Sequence, residues 1–234
     1  MVTVHIITYN EEVMIGFCIE HYRKKFPNCI IKIYDNYSTD NTVAIAEGYG
    51  CEISNYNSYD KFDEQTLIKL KDTCWKNSET DWVVVCDCDE LIDITQEELI
   101  NEHKNGTTLF KFTGYNMVNT GDTINLNEIC YGYADNMYDK ILLFNKSKIS
   151  EINYRPGCHT AKPKGIINYN GNNYNMLHYK FLGAEYTVNR YRLFANRLST
   201  LNMKKKWSIH YTEHESNLLE FYKQIPSKDL KKLL

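Results

Sequence analysis

The 234-residue chain has only 4 prolines and 11 glycines and carries no low-complexity tract or internal repeat. It has no apolar run near the roughly 18 residues that a membrane span needs. Charge of either sign is scarcely in excess: 27 Lys and Arg stand against 30 Asp and Glu, for a formal net charge of −3. That balance excludes a protein that coats nucleic acid, which needs a basic surface, and it offers no polybasic membrane anchor. The 8 cysteines are too few for a disulfide scaffold and lack paired C-x-x-C spacing, so free thiols in a reducing compartment are expected. The opening Met1–Thr8 segment lacks a cationic stretch followed by a long apolar one, so it is not expected to be a signal peptide. The expected location is cytoplasmic, or host-cytoplasmic for a viral chain.

What the chain does have is alternation. Val2–Thr8 is a β-branched apolar run, and residues 11–26 follow with helical spacing, two acids favouring the start of that helix. Ile30–Tyr34 and Cys51–Ile53 read as strands, and residues 42–47 and 63–76 as helices. Trp82–Cys86 is an unbroken apolar run, the pattern of a central strand buried on both faces. This order predicts an α/β fold: one Rossmann-like domain with a mostly parallel central sheet flanked by helices. Such sheets bind ligands beyond the carboxyl ends of their strands. Those ends carry Thr8-Tyr9-Asn10, Asp35-Asn36 and Asp87-Cys88-Asp89-Glu90.

The second half is less regular. Residues 97–104 read as a helix, 107–118 as a long strand-like stretch, 119–138 as loops, 140–145 as a strand and 176–181 as a last strand. Residues 183–203 read as one helix bearing Arg190, Arg192 and Arg197, followed by a polar tail. The expected organisation is a domain over 1–182, divided into a nucleotide-binding half (1–106) and an acceptor half (107–182), with a helical extension of the same domain over 183–234.

The acidic cluster carries the chemistry. Residues two apart in an extended segment point the same way, so Asp87 and Asp89 can present two carboxylates to one cation. Hard oxygen ligands suit Mg²⁺ or Mn²⁺, which take one or two protein carboxylates and complete their shell with phosphate and water. The bland alternative is a solvated acidic turn. Without a counter-ion, however, acids ending a buried strand would be costly.

The chain resembles a GT-A-fold glycosyltransferase of the family 2 type, and more narrowly a group of similar-sized bacterial and viral proteins. The matching segments are residues 5–11, 33–42 and 81–90, then Tyr138-Asp139-Lys140, residues 152–159 and Leu177-His178-Tyr179-Lys180. The resemblance implies a metal-dependent enzyme that moves a sugar from a nucleotide-diphosphate sugar, commonly a UDP-sugar, to an acceptor hydroxyl with inversion. It places Thr8, Tyr9, Glu11 and Asp35 around the nucleoside. Asp87 falls near the donor ribose and metal, and Asp89 on the Mn²⁺ or Mg²⁺ that bridges the diphosphate. It makes His178 an added metal ligand or phosphate contact, against a purely structural hydrogen-bonding role, and leaves a site role open for His159; Lys180 could neutralise phosphates. Asp139 is the candidate base for the acceptor proton, with Asp135 and Glu128 as competitors. The family's usual Glu-Asp pair is absent there. Cys88 stands inside the D-x-D, where the side chain usually points away.

Other readings of single residues stay open. Asp139 could instead pair with Lys140 or an arginine. Arg190 and Arg197, like Lys180, could neutralise phosphates, or the arginines of residues 183–203 could form a solvated helix face. His210 and His214 read as surface residues. Two alternative functions remain: a non-catalytic nucleotide- or sugar-binding module, and a sugar nucleotidyltransferase. The latter normally carries a Gly-rich loop and lysine where this chain has Tyr9-Asn10-Glu11. The acceptor could be a glycan, a lipid-linked sugar or a protein. The abundance of Tyr and Asn reflects either AT-rich coding or a polar, aromatic binding surface.

Overall fold

The computed structural model describes residues 1–121, 123–225 and 229–234. In its first half, strands and helices alternate as β1 (Val2–Thr8), α1 (Ile15–Lys25), β2 (Ile30–Asp35), α2 (Thr42–Gly48), β3 (Glu52–Asn55), α3 (Glu64–Thr73) and β4 (Trp82–Asp87). β1 is buried along its whole length, and β4 along all but Asp87, because both lie inside a sheet covered on its two faces.

The second half runs β5 (Glu90–Asp93), α4 (Gln96–Lys104), β6 (Thr113–Val118), β7 (Tyr131–Ala134), β8 (Leu143–Asn145), β9 (Ile149–Glu151), β10 (Lys164–Gly165) and β11 (Asn175–Phe181). Then come α5 (Ala184–Arg197), α6 (Thr200–Lys205), α7 (Glu215–Gln224) and β12 (Lys231–Lys232).

The central sheet has the order β3-β2-β1-β4-β8, parallel throughout except for β8. A second sheet, β12-β7-β6-β11-β5, is mixed, with β11 parallel to β6 and antiparallel to β5. β9 and β10 form a separate two-stranded ribbon. Asp87 ends a strand of the first sheet and Glu90 begins one of the second, so Asp87-Cys88-Asp89-Glu90 is the junction between them. The backbone N–H of Tyr179 in β11 donates to the Asp89 carbonyl at 2.8 Å and fastens the junction. Cys88 is buried in the main core, pointing away from the carboxylates that flank it.

Several expected boundaries move. α1 starts at Ile15, so Glu11 and Glu12 precede the helix and do not serve its dipole. The strand-like stretch 107–118 reduces to β6, and the loops of 119–138 contain β7. The helix read over 183–203 is two helices. Leu198 is extended because Phe62 donates its N–H to the Arg197 carbonyl at 2.6 Å and accepts the Ser199 N–H at 3.0 Å. Ser199 then caps α6 by accepting the Asn202 N–H. Nor is residues 176–181 the last strand: β12 pairs antiparallel with β7, so the C-terminal extension is not wholly helical. Among the described residues no helix is long and apolar enough to cross a membrane.

Candidate active site

A cleft lies beyond the carboxyl ends of β1 and β4, floored by Thr8, Tyr9, Glu11, Asp87, Asp89 and Glu90 and roofed by α5 and the segment after α6. The roof supplies Arg190, Tyr191, Phe194, Arg197, Ser208, His210 and Tyr211. The extension therefore forms one wall of the site.

Charge pairing fixes the floor. Arg190 donates from both terminal nitrogens to the Glu11 carboxylate, at 2.9 and 2.6 Å, and approaches Asp89 Oδ2 at 3.3 Å. Lys71 Nζ donates to Asp87 Oδ2 at 2.7 Å. Glu90 and Lys140, both nearly inaccessible to solvent, form a buried ion pair. Lys140 thus pairs with Glu90 and not with Asp139.

These pairs set protonation. Burial pushes the Glu11 carboxyl up to about 7 against the lowering effect of Arg190. Burial also raises Asp89, but His178, Arg190 and Lys140 outweigh it and hold that carboxyl well below the usual carboxylate range. Burial drives Lys180 down to about 8 despite the nearby Asp89 and Asp135.

His178 is oriented by its neighbours. The register sets it beside Asn116 on β6 and opposite Glu90 on β5. Asn116 donates its Nδ2 to Asp135 Oδ2 at 2.8 Å, so its Oδ1 is left to accept from His178 Nδ1 at 2.9 Å. Nδ1 is thus the donor in that bond, and the ring is held in place by it. Nε2 lies 3.6 Å from Asp89 Oδ2, on the cleft side. An imidazole held in this way by its other nitrogen is prepared for a metal ion.

Asp89 and His178 together supply one carboxylate oxygen and one imidazole nitrogen, a donor set suited to Mn²⁺ or Mg²⁺. Among the described residues no three His, Cys, Asp or Glu side chains are placed to hold a metal by themselves. The residues fit an ion whose shell a substrate diphosphate completes.

Of the residues expected to contact the donor or metal, Thr8, Tyr9, Glu11, Asp87, Asp89, His178 and Lys180 all border the cleft. Two expected residues do not. Asp139, the expected base, accepts the Gly114 N–H at 2.9 Å behind the cleft wall. Gly114 is a glycine by necessity here, since a Cβ would fall 2.5 Å from the Tyr138 backbone. Asp35 is 1% exposed and engaged by the Thr8 hydroxyl and by the N–H and hydroxyl of Ser38. Asp35 thus shapes the loop, and its neighbour Asn36 reaches the cleft and accepts from Arg197 at 2.6 Å.

Of the competing bases, Glu128 sits in an exposed turn and accepts from Asn125. Asp135 borders a cavity beside the cleft. His159 lines the cleft, and its Nδ1 is buried with no hydrogen-bond partner among the described residues. Gly157, at φ +78°, turns the chain ahead of it. His210 borders the cleft although it is exposed, whereas His214 caps α7.

The sequence alone does not place Lys71, Phe194 and Tyr211 in the site, and assigns no role to Glu90 or Tyr138 although both stand in the segments singled out. Arg190 and Arg197 do not form a solvated face: Arg197 lies over the Tyr9 ring, its Cζ 3.2 Å from the centroid. Their signal was positional. Arg190, Phe194 and Arg197 recur at helical spacing on one face of α5, and Lys71 follows Leu67 by one turn on α3. Arg192, on another face, is exposed and pairs with Glu215.

The sequence pattern of glycosyl transferase family 2 matches residues 3–159, more than half the chain. The chain belongs to that family, and its fold is the GT-A type. Among solved structures, S. aureus TarS 1-349 in complex with UDP aligns with a TM-score of 0.51 and 16% identity, over 97% of this chain and 72% of that one. S. aureus TarS 1-349 alone also aligns at 0.51, with 15% identity, over 84% and 64% of the respective chains. A longer S. aureus TarS aligns at 0.50 and 14% identity, and there the match covers only 39% of its length. In the last two of these comparisons this chain spans less than two thirds of the other chain's length. No curated protein sequence matches it.

Proposed function

We propose that the protein transfers a sugar from a nucleotide-diphosphate sugar, a UDP-sugar in the first instance, to an acceptor hydroxyl with inversion. One observation carries the reading: just beyond β4, the Asp89 carboxylate, held ionised, lies 3.6 Å from Nε2 of a histidine whose Nδ1 is tied to Asn116, in a chain of this family. The S. aureus TarS complex with UDP supports the choice of nucleotide.

In this reading Tyr9 and Asn36 meet the nucleoside, with Arg197 holding both. Asp89 and His178 would hold Mn²⁺ or Mg²⁺, with Asp87 beside them. When bound, such an ion neutralises charge on the departing diphosphate. Lys180, and Arg190 once released from Asp89, add positive charge to the same phosphates. The acceptor oxygen attacks the anomeric carbon as the bond to the diphosphate oxygen breaks, and the electron pair leaves with the nucleoside diphosphate. The acceptor proton passes to a carboxylate. In this reading Asp135 takes that role in place of Asp139, because it borders the cavity next to the cleft.

The test is isothermal titration with UDP, GDP and dTDP, each with Mn²⁺. UDP should bind, and Asp89→Ala should weaken it. Indifference to all three nucleotides, or to the substitution, overturns the reading. Binding without transfer to any acceptor would favour a non-catalytic module.

A further inference from the structure

A second cavity, of about 430 Å³, opens beside the cleft and shares Lys180, Thr187, Tyr191 and His210 with it. That volume lies in the range of small-molecule sites. Its outer wall comes from α7, through Glu213 at the helix entry, Asn217 and Phe221, and its inner wall from the second sheet, through Asn116, Tyr133 and Asp135. We propose that this annex seats the sugar ring of an uncharged glycan or glycoside, the acceptor of the transfer; the proposal rests on the nucleotide-sugar reading of the cleft.

The lining has the chemistry of a carbohydrate site. A pyranose presents flat C–H faces and a rim of hydroxyls. Tyr133, Tyr191 and Phe221 supply rings for the faces. Asp135, Glu213 and Asn217 supply acceptors and an amide for the rim. Polar groups interrupt the aromatic surface on both walls, which disfavours a lipid chain.

Charge narrows the class further. Two carboxylates, Asp135 and Glu213, face the annex. The lysine that lines it, Lys180, is shared with the cleft, where the donor phosphates take its charge in the reading above. A hydroxyl finds acceptors there, whereas a phosphate meets like charge.

Position supplies the third argument. Hydrogen bonds run from His178 to Asn116 and from Asn116 to Asp135, and His178 Nε2 lies 3.6 Å from Asp89. A hydroxyl that a ring in the annex sets on Asp135 is thus linked through Asn116 and His178 to Asp89, beside the residues that the annex and the cleft share.

Saturation-transfer NMR on the full chain with UDP and Mg²⁺ tests the idea. The probes are the methyl glycosides of glucose, galactose, mannose and N-acetylglucosamine, alongside the matching sugar 1-phosphates. At least one glycoside should receive saturation at its ring C–H protons, and the phosphates should not. Asn217→Leu and Glu213→Gln should each weaken that glycoside roughly fivefold, the effect of one hydrogen bond. Both variants should keep wild-type UDP affinity. The proposal is overturned if no glycoside is saturated, if the phosphates bind equally well, or if neither variant changes the signal. Loss of UDP binding in the wild-type protein would instead count against the donor reading, and the glycoside result would still stand alone.

Discussion

Arg190 and Glu11, 179 positions apart in sequence, meet through two hydrogen bonds of 2.9 and 2.6 Å that join α5 to the end of β1. Glu11 is 5% exposed, so its partner is also its replacement for water. Arg190→Gln should cost roughly 2–3 kcal/mol, the range of a hydrogen bond to a charged group left unmade. Urea denaturation should show Glu11→Gln with Arg190→Gln recovering part of that loss. Additive losses would mean that the pair is not coupled.

Tyr9 is covered on one side by the Arg197 guanidinium. Its ring is thereby fixed beside the proposed nucleoside position. Tyr9→Ala should raise the Kd for UDP about tenfold, consistent with losing a ring contact and its cation–π partner. Tyr9→Phe should bind almost as the wild type does. Titration calorimetry separates the two outcomes.

The Asn116 amide orients the His178 ring through Nδ1, so its effect should reach an ion through the imidazole. Asn116→Ala should lower Mn²⁺ affinity in the presence of UDP by about 10–100-fold, the usual effect of losing such a supporting partner. UDP binding without metal should be unaffected. Electron paramagnetic resonance of free Mn²⁺ measures the first quantity. Mn²⁺ without nucleotide should bind weakly even to the wild type, because two protein ligands leave the shell incomplete.

His5 gives a pH prediction away from the cleft. It is fully buried in β1, with Nε2 on the Ser78 hydroxyl at 2.7 Å and Nδ1 on the Tyr34 hydroxyl at 3.1 Å. Burial, with Lys32 adding to it, lowers its pKa to about 3 from 6.5. The unfolded chain therefore binds a proton between those values that the folded chain refuses. The contribution of His5 to stability is complete above pH 6.5 and is lost as pH falls towards 3. His5→Gln should flatten that part of the stability profile, as followed by urea midpoints between pH 4 and 7 (a window chosen about these two values).

The first half of the fold is legible because each strand and helix there carries its own periodic signal, from Val2–Thr8 to Trp82–Asp87. The break at Leu198 is not, because it depends on backbone pairing with Phe62, far away in sequence. The same limit governs the site. Asp87 and Asp89 declare themselves by spacing at a strand end. Whether Asp139 faces substrate or Gly114 depends on how tightly β6 packs against Tyr138, and no local pattern records that. The arginines of α5 read equally well as solvated until Glu11 and Tyr9 are placed opposite them.

The Asp87–Glu90 junction belongs to both sheets, and the Asp89 carbonyl is tied to Tyr179. Asp89 therefore works as an alignment gauge. A small slip of one sheet against the other would misplace its carboxylate relative to His178 while leaving each sheet's own ladder intact. Substrate recognition in this molecule should be the first property lost under mild stress, well before the secondary structure reports any damage.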